Sequence, residues 1–96
     1  MPIWNTLKRE LDKAGQVAQG ALDEGKLRLE SHRARQRAES AAASLGFALY
    51  RARVAGVELE ADRYDVHAAS IASAEADVER LEREIAEVKA GREQAP

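Results

Sequence analysis

The second half of this chain carries two runs of mainly apolar residues spaced alternately by three and four. Ala34, Ala38, Ala41, Leu45, Ala48 and Ala52 form the first. Tyr64, His67, Ile71, Ala74, Val78, Leu81, Ile85 and Val88 form the second. Side chains three and four apart share one face of an α-helix, so each run predicts a helix with a single seam that must be buried against a partner. Between them Gly56 predicts a helix stop, and Val57-Glu58-Leu59 reads as the turn, with Leu59 as an apolar plug. The expectation is an antiparallel hairpin. One helix ends at Ala55, and the next runs from Glu60 or Ala61 to Ala90-Gly91, with residues 92–96 as a polar tail. Alanine along the first seam lets the larger side chains of the second approach closely. Gly46 is expected to serve the same approach or to mark a bend.

Residues 1–30 keep a different period. Ile3, Leu7, Leu11, Ala14, Ala18, Leu22, Gly25 and Leu29 share a face, and positions 11 apart match one another. An 11-residue repeat gives ~3.67 residues per turn, so the stripe runs almost straight along an ordinary helix. Asn5 or Thr6 is the expected N-cap. Trp4 stands at the edge of an apolar arc of roughly 140°, bordered by Lys8 and Lys26, with Asp12, Asp23 and Glu30 on the polar face. Gly15, Gly20 and Gly25 each cost ~1 kcal/mol relative to alanine inside a helix, so this segment should need a docking surface. No proline separates it from the second helix, which it either precedes or simply continues. The chain thus divides into an amphipathic N-terminal helix over 1–30, a hairpin over 31–91 and the tail. The fold class is all-α: an extended, coiled-coil-like antiparallel hairpin preceded by an amphipathic helix.

Composition narrows the functions such a fold can serve. Of 96 residues 45% are hydrophobic, but 20 of these are alanine, which leaves too few bulky side chains for a globule enclosing a catalytic cleft. Cysteine is absent, so no disulfide, thiolate nucleophile or thiolate zinc site is expected. No stretch approaches the ~20 apolar residues of a membrane span, and the start lacks the apolar core of a secretory signal. The expected location is cytoplasmic, with a peripheral position at a membrane as its variant. The net charge of −2 conceals a division: residues 1–30 sum to zero, 31–57 to +4 and 58–96 to −6. A basic helix beside an acidic one suits antiparallel pairing, where charges on the rim set register and orientation.

Two resemblances rest on these residues. The paired words Leu11-Asp12-Lys13-Ala14-Gly15 and Leu22-Asp23-Glu24-Gly25-Lys26 resemble the 11-residue repeats of exchangeable apolipoproteins and synucleins, over about 25 residues. That resemblance implies an amphipathic helix lying at a lipid surface. The run through Leu49, Gly56, Leu59, Asp62 and Tyr64 is similar to the turn of the short C-terminal domain, a two-helix module of bacterial proteins. It is similar also to small uncharacterised bacterial proteins that join such a hairpin to an N-terminal amphipathic helix. Those families carry no catalytic residues to transfer.

Candidate sites are few. His32 and His67 stand on different expected helices without the spacing of a metal site, and no cofactor is expected. His67 reads as a polar seam residue that fixes register. Arg33, Arg35, Arg37, Arg51 and Arg53 are the best phosphate-binding candidates, yet no aromatic residues interleave them, and they read first as rim charges facing the acids of the last helix. The carboxylates from Glu75 to Glu87 lack a histidine at i+3 and read as a solvated face with ordinary helix pairs such as Glu79-Arg83. Phe47 and Tyr50 point off the seam, so the first helix or another subunit is expected to cover them.

The expected function is therefore a non-catalytic interaction or scaffold protein. It self-associates or docks on a larger protein assembly through Ile3, Trp4, Leu7, Leu11, Leu22, Leu29, Phe47 and Tyr50. A peripheral membrane protein binding anionic lipid through the N-terminal helix is the first alternative, and a nucleic-acid binder through the arginine-rich helix the second. No small-molecule substrate is expected. Protein stands ahead of lipid here because the alanine- and glycine-rich stripe of residues 1–30 offers little bulky apolar area.

Overall fold

A computed structural model describes residues 2–94 as two helices: α1, Pro2–Val54, and α2, Ala61–Gln94. They fold back on each other as an antiparallel hairpin with principal extents of 82 × 16 × 16 Å. The length is that of α1 alone, since its 53 residues span ~80 Å at 1.5 Å per residue. Residues 2–54 thus form one uninterrupted helix, and residue 31 marks no break. Proline stands only at its first position, where the absent N–H breaks no helical hydrogen bond. Asn5 and Thr6 lie inside the first turns rather than at the cap, because the helix already begins at Pro2. Around two of the glycines the surface is stapled. The Gln19 amide donates to Asp23 at 3.1 Å across Gly20, and Arg28 donates to Glu24 at 3.3 Å across Gly25.

The turn is built by glycine. Gly56 adopts φ +73°, and its N–H donates to the Arg53 carbonyl at 3.1 Å, while the Val57 N–H donates to the Ala52 carbonyl at 3.0 Å. This pair of bonds is a Schellman stop, which satisfies carbonyls that the end of a helix would leave open. The Glu60 carbonyl then accepts the first bond of α2, from the Tyr64 N–H at 3.0 Å. Half-buried Leu59 fills the inside of the turn, as the sequence suggested.

Burial follows the two seams. Ala34, Ala48, Ala74 and Leu81 are buried, and Ala38, Ala41, Leu45, Ala52, His67, Ile71, Val78, Ile85 and Val88 are half-buried. Tyr64 departs from this pattern at 47% exposed. It stands in the first turn of α2, where only α1 and the short connection flank it, and it lines a shallow groove with Ala52, Val57 and Leu59. The seam on α1 also starts earlier than its apolar residues suggest. Gly20, Glu24, Leu27 and buried Ser31 continue the same alternation upstream of Ala34. Among the described residues no buried side-chain polar atom lacks a hydrogen-bond partner.

Cross-helix ion pairs fix the register. Arg35 pairs with Glu82 on one side of the seam, and Arg37 pairs with Asp77 at 3.3 Å on the other. At the open end Arg92 reaches Glu24 at 3.0 Å, and Glu24 also accepts from Arg28. This register sets Ala34 level with Leu81, Ala41 with Ala74 and Ala48 with His67, so alanines on α1 mostly meet larger side chains on α2. Arg80 pairs along α2 with Glu84 and Asp77, at 3.4 and 3.7 Å.

Two glycine expectations change. A Cβ on Gly46 would meet nothing within 4 Å, so this glycine mediates no close approach: it lies on the exposed flank of α1, off the seam. Gly91 does not stop α2, which continues to Gln94 with the Glu24–Arg92 pair holding its last turn against α1. Of the expected tail, residues 95 and 96 lie outside the described residues, as does Met1.

Candidate docking face

The heptad seam occupies one side of α1, and the 11-residue stripe occupies the other. At 3.6 residues per turn the stripe through Leu11, Ala18 and Leu29 points about 180° away from Glu24, Leu27 and Ser31. Among the described residues, its bulky side chains stand exposed. Ile3 is 80% exposed, Trp4 68%, Leu11 65% and Leu22 61%, with Leu7 and Leu29 also exposed. Phe47, Tyr50 and Val54, at 62%, 67% and 70%, fall on this same outward face. The first part of α1 cannot cover Phe47 and Tyr50, because it continues straight away from them in the same helix.

The docking residues named from the sequence therefore share one face of one helix. Ile3, Trp4, Leu7, Leu11, Leu22 and Leu29 mark its N-terminal half, and Ala43, Phe47, Tyr50 and Val54 its C-terminal end. Between them His32, Arg33, Gln36 and Ser40 form a polar interval. The face is thus two exposed apolar stretches on one side of α1, parted by this polar interval. Their common direction was open to sequence reading through the spacing alone: Leu11, Leu29 and Phe47 recur every 18 residues, or five turns. Dividing the chain at residue 31 hides that relation.

α1 also overhangs its partner. Where α2 ends, a groove opens between Lys13, Gln16, Val17 and Gly20 on α1 and Val88, Gly91 and Arg92 on α2. Residues ahead of Lys13 reach beyond the described end of α2, and a shallow recess there is lined by Ile3, Thr6, Leu7 and Glu10. The exposed N-terminal apolar side chains thus stand on a projecting single helix.

The remaining candidates are dispersed. Arg35 and Arg37 face Glu82 and Asp77, as rim charges should; Arg51 stands 6.0 Å from the centre of the Phe47 ring, and Arg33 is exposed on the outer face. They make no single basic patch. His67 lies in the seam and His32 beside a groove with Ser31, Arg35 and Glu82, well separated along the hairpin. Among the described residues no three His, Asp or Glu side chains converge as metal ligands, and no helix is long and apolar enough to cross a membrane. No protein-family model matches the chain, and comparison with curated proteins and with solved structures gives no significant match.

Proposed function

We propose that this protein is a non-catalytic helical interaction protein, in which the hairpin is a stiff support and the outer face of α1 docks on a larger surface. Its projecting N-terminal part serves as the anchor. The observation that carries the reading is the two-sidedness of α1. One side is satisfied by α2, and the opposite side presents nine exposed bulky apolar residues. Burying such a residue contributes ~1.5–3 kcal/mol, so the face favours association strongly once a surface is offered. Self-association or docking on a protein assembly uses this face directly, and a lipid surface uses it in the same orientation.

Sedimentation equilibrium combined with vesicle flotation tests the reading. The full chain should associate in at least one of the two. A Leu29→Ser, Phe47→Ser variant should lose that association while keeping its helicity and melting temperature, because neither residue packs within the hairpin. A full chain that stayed monomeric and ignored vesicles would contradict the reading. So would a variant that melted as early as one with a disrupted seam.

A further inference from the structure

The outer face of α1 keeps one direction along the whole helix. Trp4 with Leu22, Leu11 with Leu29 and Phe47, and Ala18 with Val54 are separated by multiples of 18 residues, so the members of each set point the same way. The seam against α2 steps instead by 3.5 on average, and such a repeat rotates ~20° per heptad on a straight helix. A second helix wound along the outer face would need that 3.5 spacing. A flat surface suits the 3.6 spacing, and α1 extends along the 82 Å length of the molecule.

Charge selects among flat surfaces. Lys8, Lys26, Arg33 and Arg51 are all exposed and line one border of the apolar face, about 60–80° from its midline. If two copies paired antiparallel through α1, each border would meet its own counterpart, and these cations would face cations. Glu10 and Glu39 stand on the opposite border, but the balance of α1 stays basic: residues 1–57 sum to +4 and residues 58–96 to −6, with most of the latter on α2. Helices pack ~8–10 Å apart, so a surface beneath α1 lies about one Debye length closer to the cations than to α2.

We propose that the outer face of α1 lies flat on an anionic lipid bilayer. Its apolar side chains enter the boundary between headgroups and acyl chains, its cationic border sits among the headgroups, and acidic α2 is turned to water. This inference rests on the docking reading above and names the surface. It departs from the preference for protein drawn from residues 1–30 alone, because Phe47, Tyr50 and Val54 enlarge the face and Arg33 and Arg51 extend its border.

Flotation of the full chain tests it, using vesicles of equal parts phosphatidylglycerol and phosphatidylcholine against phosphatidylcholine alone. Binding to the anionic vesicles is expected, with a blue shift of Trp4 emission. Each border cation replaced by glutamine should weaken it by about fivefold. A Leu11→Ser, Phe47→Ser variant should lose binding to both vesicle types. All six substituted side chains are exposed, so unchanged helicity will show that the fold persists. Absence of binding to the anionic vesicles would overturn the lipid assignment. If the chain then sedimented as an oligomer that the Leu11→Ser, Phe47→Ser variant dissolved, the docking face would stand with a second copy as its partner. If it stayed monomeric, the docking reading would fall as well.

Discussion

Ala34 and Leu81 are almost wholly buried, at 0% and 2% exposed, and the register places them at one level of the seam. There α1 has no room for a larger side chain. Ala34→Leu should overpack the pair and cost ~1–3 kcal/mol, read as a lower melting temperature by circular dichroism. Ala43→Leu, on the exposed outer face, should leave the melt within ~0.5 kcal/mol of the parent. Equal losses at both positions would deny that only one side of α1 is packed. Glu24 makes the complementary case. It is a seam carboxylate with 13% of its side chain exposed, held by Arg28 and Arg92. A partly buried charge of this kind fixes register more than it adds stability. Arg92→Ala should therefore cost less than Ala34→Leu, yet accelerate amide exchange in the last turns of α2, where this pair is the described cross-helix anchor.

Element boundaries separate what sequence made legible from what it hid. The stop at Gly56, the plug at Leu59 and the start of α2 after Glu60 were all readable, because a glycine between two seams is the preferred helix stop. Gly56→Ala should cost ~1–2 kcal/mol, since its φ of +73° disfavours any Cβ although space is open around it. Thermal melting would check this. The upstream seam was hidden because Gly20, Glu24 and Ser31 occupy positions that a search for apolar spacing passes over. The sequence left open whether residues 1–30 continue into the next helix; the helix runs through all three glycines, with pairing to α2 beginning at Gly20. Hydrogen exchange should reveal the resulting gradient. Amides of residues 27–52 and 67–88 should be protected, and those of the N-terminal turns beyond the described end of α2 should exchange far faster.

At the scale of the whole molecule, α1 carries two unlike periodicities on opposite sides. A 3.5 repeat meets α2, and a 3.6 repeat faces outward, so each side is suited to a different kind of partner. The fold class and most of the seam could be read from the sequence. The union of the exposed apolar residues on one face is written in their 18-residue spacing, and it holds because α1 is one helix. Absence of cysteine allows that union to be tested directly. Single cysteines at Leu11, Leu29, Phe47 and Val54, and at Ala76 and Ala86 on the exposed side of α2, can each carry an environment-sensitive fluorophore on the full chain. On addition of the anionic vesicles, labels at 11, 29, 47 and 54 should shift to the blue together, while those at 76 and 86 stay unchanged. Shifts confined to positions 11 and 29, or equal shifts on α2, would contradict a single docking face running the length of α1.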